Sequence, residues 1–233
     1  MTDALLQWLP MLAALHVAVA TSAATIIPTS IASSRSHARR GSVDRELLAR
    51  WSLPTVLVAL FGALAASHVD ARVLAAVFGC GALAVALKMM LPLDHVVLRR
   101  TLPGGPAGTA IPVTVGAVAA MMGIGGGVLS VPAMTPCGEP MHKAVGTGSA
   151  LGLRISAPAT LVYLFAPAPD AADLPLTVGY VSLLAFAVIA PASWLIAPLG
   201  ARLAHSIPRR RLSVVFGVFL LIVAARMLQR TLG

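Results

Sequence analysis

Charge is scarce in this 233-residue sequence: 11% of positions are charged, against about 25% in an ordinary soluble domain. Acids are scarcer still, eight in all, too few for paired-carboxylate chemistry. The two cysteines, Cys80 and Cys137, form no CxxC and no Cys/His spacing. That excludes a disulfide framework and a zinc site, and leaves small packed residues as the ordinary reading. No H-E-x-x-H, G-x-S-x-G or G-x-x-x-x-G-K-[ST] sequence is present, so the corresponding metalloprotease, serine-hydrolase and ATPase classes fall away. No enzyme activity, cofactor or metal is expected.

What is there is apolar. Hydrophobic residues make up 58% of the chain and the mean hydropathy is +0.89, values that belong in a bilayer. Lys and Arg number 17, for a net charge of +9. Such a balance can mark a nucleic-acid binder, but here the cations lie in short loops between apolar runs, the pattern by which cytoplasmic loops orient a membrane protein. The expected partner is therefore the lipid bilayer of the cytoplasmic membrane, crossed several times, with no nucleic acid. Met1 to Leu15 has neither a basic n-region nor an A-x-A site, so no cleaved signal peptide is expected.

Taken in order, a first span covers Met11 to Ser33 and is followed by the basic segment Arg35 to Arg50. Span two runs from Trp51 to Ala66, the SHVDAR turn follows, and span three runs from Val73 to Leu91. The connection with Arg99 and Arg100 is rich in Gly and Pro and divides the chain into halves. Beyond it come an apolar segment from Ala110 to Thr135, a span from Ala144 to Ala166, and a loop with Asp170 and Asp173. Spans from Leu176 to Leu199 and from Leu212 to Leu228 flank the basic turn Arg209 to Arg211. The fold class is all-α and polytopic, about six full spans plus one broken segment.

The halves repeat. Sliding residues 62–90 by 138 places gives 12 identities in 29 positions, among them Arg72 with Arg210 and Phe78 with Phe216. Upstream the offset is 126, where HVAVAT at His16 meets HKAVGT at His142. The units are residues 1–95, a connecting loop 96–109, and residues 110–233. Basic and neutral or acidic loops exchange places between the units, which makes the repeats inverted. Inversion requires Ala110 to Thr135 to enter and leave on one face, as a re-entrant hairpin. At offset 126 Gly127 falls on Met1, so the first unit as written lacks a glycine arm; a start assigned too late and a single broken arm both account for this.

Gly123, Gly125, Gly126 and Gly127, followed by Pro132 and Pro136, supply the break. Glycine costs a helix interior about 1 kcal/mol and proline about 3. At membrane depth a break survives only against protein or a water-filled cavity, and half-helix N-termini there suit an anion. Gly123 to Gly127 with Pro132 are thus the candidate binding segment for a small anionic substrate. Thr147 and Ser149, with Thr21 and Ser22 at the repeat-related place, add hydroxyl donors. Arg154, seven residues after Thr147 on the same helix face, adds a charge that could take an oxyanion bidentately. The ordinary alternatives are back-bonding for the hydroxyls, close helix packing for the glycines and snorkelling for Arg154. His16 and His142 are candidate proton-relay residues. Glu139 and Lys143 read as a loop ion pair.

GIGGGVLSVPAM, then AVGTGSALGL, then GARLAHSIPRRRLSVVFGVFLLIVAARML together resemble the TauE/SafE group of sulfite exporter-like permeases, over essentially the whole chain. The resemblance implies two homologous halves and movement of sulfite, sulfoacetate or other sulfur-containing anions across the bacterial cytoplasmic membrane. The expected function is an anion permease working by alternating access, with homo-oligomers possible. The reading from another class is a non-transporting membrane subunit whose glycines pack helices against a partner.

Overall fold

Inside a bilayer the helix is the local structure that satisfies every backbone group within one segment, and apolar runs joined by short polar turns follow that rule here. The computed structural model describes residues 2–91, 105–168, 176–206 and 209–232. The helices are α1 Thr2–Arg39, α2 Arg45–His68, α3 Ala71–Met90, α4 Gly105–Met122, α5 Gly126–Met134, α6 Met141–Phe165, α7 Leu183–Ser206 and α8 Arg209–Leu232, with a 3₁₀ turn at Thr135–Cys137. Among the described residues, α2, α3, α6 and the part of α1 from Leu15 to Arg39 are long and apolar enough to cross a membrane; α4, α7 and α8 contribute shorter apolar stretches. The protein is an all-α, multi-pass membrane protein.

Turns are short and specified locally. Asp44 caps α2, its side chain accepting from Leu47 N–H at 2.9 Å. Between α2 and α3 only Val69 and Asp70 intervene. One expected span starts late: Leu176 to Ser182 is not helical, because Leu176 and Gly179 hold φ of 56° and 55°. There β1 Thr177–Val178 pairs antiparallel with β2 Val181–Ser182 across a Gly179–Tyr180 turn, and α7 begins only at Leu183. The acidic loop with Asp170 and Asp173, most of the connecting loop, and Ile207 with Pro208 lie outside the described residues.

Two antiparallel helix pairs organise the packing. α3 and α8 pair along their length: Gly79 meets Leu228, Gly217 meets Met90, and Arg210 donates to the Met90 and Leu91 carbonyls at 2.7 and 3.2 Å. α1 and α6 pair with Ser30 against Gly152. α2 lies on α6 and α4, and α7 lies on α1. Small residues set the distances, as lipid-embedded packing demands: a Cβ on Gly62 would stand 2.9 Å from the Ala117 carbonyl oxygen, and one on Gly116 3.1 Å from that of Thr55. α4 starts where Ile111 packs near Trp51, and its far end reaches Val19 and Tyr163. α5 then returns, so that Met134 packs beside Trp51 and Ala144. Large apolar side chains such as Leu53, Phe61 and Leu195 point outward, toward lipid.

Gly146 of α6 touches the loop that turns α1 into α2, and a Cβ there would collide with the Ser42 carbonyl oxygen. Gly146→Ala is expected to destabilise the protein by about 1–3 kcal/mol through overpacking, read as a lowered melting temperature in detergent.

Candidate functional site

The break between α4 and α5 is built from two left-handed glycines, Gly123 at φ 61° and Gly125 at φ 73°. A side chain at Gly123 would collide with the Val19 carbonyl of α1. The carbonyl of Gly123, freed by the break, accepts Ser22 Oγ at 2.7 Å. Gly125 is the N-cap of α5 and offers no capping side chain, so the first-turn N–H groups of α5 have no cap.

These groups border a cavity of about 180 Å³. Ile124, Gly125, Gly126, Gly127 and Val128 line it from the break, Ile26, Thr29, Ser30 and Ser33 from α1, and Ser149 and Gly152 from α6. Gly126 lies against α6 so closely that a Cβ would stand 3.0 Å from Gly152 N. Ser30 is 7% exposed, lines the cavity, and its hydroxyl has no partner among the described residues. Among the described residues, Ser130 Oγ and Ser156 Oγ are buried without a hydrogen-bond partner; Ser130 sits against Gly148, and Ser156 Oγ lies 3.5 Å from the position of a Gly125 Cβ. Among the described residues, no side chain lining the cavity is charged.

Of the residues singled out in the sequence, Gly125, Gly126, Gly127 and Ser149 line this cavity. Ser149 is back-bonded to Gly146 O at 2.8 Å, and Ser22 and Gly123 brace the break beside it. Pro132 lies further along α5, its carbonyl accepting from Lys88 Nζ. Thr147 and Thr21 are elsewhere. Thr147 Oγ1 accepts the Asp44 N–H at 2.9 Å and Thr21 Oγ1 accepts the Ser182 N–H at 3.0 Å, so each hydroxyl fastens the start of a helix and neither reaches the cavity. Arg154 is half-buried, without an ion pair among the described residues. It lies two residues beyond Gly152, about 200° around α6, and so faces away from the cavity.

The histidines stand at opposite ends of α2. His16 is buried, with Nε2 3.1 Å from Ala66 O and 3.3 Å from Val69 O, and its ring stacks on Tyr180 at 5.2 Å. Carbonyls only accept, so Nε2 carries the proton and closes the C-terminal end of α2. His142 is exposed in the first turn of α6. Lys143 pairs with Asp44 at 3.6 Å, where the sequence suggested Glu139. Glu139 Oε1 is buried without a hydrogen-bond partner among the described residues. Burial first, and the Asp44 carboxylate second, push the Glu139 carboxyl above its ordinary range, against the opposing pull of Lys143 and His142.

Sequence reasoning missed Ser30, Ser33, Ser130 and Ser156. Ser30 and Ser156 are 126 apart, the repeat offset, and Ile26, Thr29, Ser30 and Ser33 share one helical face; those were the available signals. Among the described residues, no group of His, Cys, Asp and Glu could hold a metal ion.

A glycine-broken arm thus borders a hydroxyl-bearing cavity among apolar helices, and the comparisons give the class of protein. Residues 4–227 match the sulfite exporter TauE/SafE family, and the chain belongs to that family. It is also similar to a probable membrane transporter protein of Haemophilus influenzae, 26% identical over 221 residues that cover 91% of this chain and 81% of that one. No solved structure matches it. The protein is a membrane transporter.

Thr147→Val leaves the Asp44 N–H unpaired and is expected to cost about 1–3 kcal/mol of stability, seen as a lower melting temperature, while transport per folded molecule stays at the wild-type level. For Glu139, a raised carboxyl pKa means that the folded chain holds this proton more tightly than the unfolded one. The group therefore stabilises the fold at acid pH, and that contribution is lost as pH climbs from the ordinary glutamate range through the raised one. Glu139→Gln is expected to flatten that part of a melting-temperature profile taken between roughly pH 4 and 7.

Proposed function

We propose that the protein moves a small anion, sulfite or another sulfur-containing oxyanion or organosulfonate, across the cytoplasmic membrane, and that it is a permease and not an enzyme. The observation that carries this is the uncapped first turn of α5 opening on a cavity with the unpartnered Ser30 hydroxyl. Helix N-termini and hydroxyls recognise an anion without a fixed countercharge, which permits release as well as binding. Sulfur as the central atom comes from the family alone. Gly126 and Gly127 let the ligand approach the backbone, because no Cβ stands in the way.

We read the chain as two inverted repeats, residues 1–95 and 110–233, with residues 96–109 between them. Several coincidences support this. The bounds of α2, moved by 138, become Leu183–Ser206, those of α7, and the start of α3 becomes Arg209, that of α8. The end of α6, moved back by 126, becomes Arg39, the end of α1. The bond from Thr147 to Asp44 maps onto that from Thr21 to Ser182, and the capping bond from Asp44 to Leu47 N–H maps onto that from Ser182 to Ala185 N–H at 3.3 Å. On this reading α4 and α5 are a re-entrant hairpin that enters and leaves on the face bearing Arg40, Arg45, Lys143 and Arg210. That basic face is the cytoplasmic one by the usual charge rule. Alternating access rocks one repeat against the other about the cavity.

Gly126→Leu would drive a side chain into Ile155 and the Gly152 backbone. Labelled sulfite flux into proteoliposomes is expected from the wild-type chain and absent from this variant, with both proteins monodisperse in detergent. Wild-type flux from the variant removes the cavity from the transport path; no flux of any anion from the wild type favours a non-transporting subunit.

A further inference from the structure

Pro132 and Pro136 stand four residues apart near the end of the arm. In a helix the carbonyl of residue i is taken by the N–H of residue i+4, and Pro136 has no N–H. The Pro132 carbonyl therefore cannot be satisfied by its own helix. Its neighbours can be: the Val131 carbonyl takes the Thr135 N–H and the Thr135 hydroxyl, and the Met134 carbonyl takes the Glu139 N–H at 3.4 Å. The group that reaches the Pro132 carbonyl comes from another helix. Lys88, half-buried in the last turn of α3, donates to it from Nζ.

An ammonium within a span is costly. At the C-terminal end of α5 it meets both an orphan carbonyl and the negative end of the helix dipole. Apolar contact runs alongside, since Val128 and Leu129 of the arm pack with Val85, Ala86 and Met89 of α3 and Leu220 of α8. We infer that Lys88 is a positioning residue for transport: its bond to the Pro132 carbonyl seats the α5 arm on the α3–α8 pair and so fixes the arm's first turn at the cavity. This rests on the transport reading of that cavity. The consequence for mechanism is that movement of the α3–α8 pair is passed to the binding segment through its C-terminal end.

Cys137, half-buried one turn beyond Pro132, reports on the arm. In a Cys80→Ser background, the rate of Cys137 alkylation by N-ethylmaleimide is measured in detergent beside the KM for sulfite in proteoliposomes. Lys88→Met is expected to speed alkylation about fivefold or more, the effect of losing one buried hydrogen bond on local opening, and to raise KM. Lys88→Arg, which keeps a donor, is expected to match the wild type in both. Pro136→Ala restores an N–H four residues after Pro132, and in that background Lys88→Met is expected to change alkylation by less than about twofold, because the lost hydrogen bond is replaced. Unchanged alkylation in Lys88→Met, or Lys88→Arg behaving as Lys88→Met does, overturns the inference. Should Lys88→Met fail to fold, recovery of folding with Pro136→Ala supports the bond and failure there too overturns it. Alkylation does not depend on flux, so a wild type that carries no sulfite defeats the transport reading while the arm's tether is still read directly.

Discussion

A helix broken inside an apolar protein must place every backbone group that the break sets free, and the rest of the structure answers that demand. On the α4 side, Gly123 N–H and Ile124 N–H fold back onto the Ala120 and Ala119 carbonyls at 3.3 Å, and Ser22 takes the Gly123 carbonyl. At the far end of the arm Lys88 takes the Pro132 carbonyl. The uncapped N–H groups are those of the first turn of α5, where Gly125 has no side chain to cap them. The Gly123 and Pro132 carbonyls are thus met by protein, and the first turn of α5 borders the cavity. The proposed preference for anions rests on this remainder of donors in the backbone inventory.

Close glycine packing and ligand binding look like competing explanations of the Gly125 to Gly127 run, but the geometry accommodates both. Gly126 must lie on Gly152 for the arm to seat against α6, and a Cβ on Gly148 would stand 3.4 Å from Gly127 Cα. Lipid offers no hydrophobic gain for helix association, so contacts of this closeness hold the arm in place. The same absence of side chains that permits them leaves the first-turn N–H groups open. Substituting Gly125 or Gly126 therefore perturbs packing, and on the proposed reading recognition with it, so only a readout that separates folding from flux can apportion the two.

The apolar spans and the position of the break were legible from composition and from the glycine and proline spacing, since both act through local backbone cost. The side-chain assignments were less so. Thr147 and Arg154 were placed on one helix face by their spacing of seven, and they do share it, but at Thr147 that face meets Asp44, while the cavity lies across the helix at Ser149 and Gly152. Periodicity groups residues by face and does not say what the face meets. Ser30 and Ser33 were hidden for the opposite reason: a hydroxyl in a helix so often bonds its own carbonyls, as Thr29 does with Thr25 at 2.8 Å, that a free one cannot be told apart without its neighbours. The small hairpin before α7 was hidden by composition, because Leu176 and Val178 read as span residues and only the positive φ at Leu176 and Gly179 excludes a helix.

If the two halves are inverted repeats, equivalent residues that keep the same environment are scaffold, and those that part company mark where the halves have specialised. Thr21 and Thr147 keep theirs, as do Asp44 and Ser182 at the helix starts. His16 and His142 do not: one is buried under Tyr180 and the other is in solvent. Nor do Lys88 and Arg226, 138 apart, the first bonded to the arm and the second exposed on α8. Ser30 and Ser156 diverge as well, one lining the cavity and the other sealed behind Gly125. Two of these pairs, Lys88 with Arg226 and Ser30 with Ser156, differ at the α5 arm and its cavity, while the histidines differ at the two ends of α2. If this cavity binds the ligand, it does so between unlike walls, hydroxyls of α1 on one side and the first turn of α5 on the other.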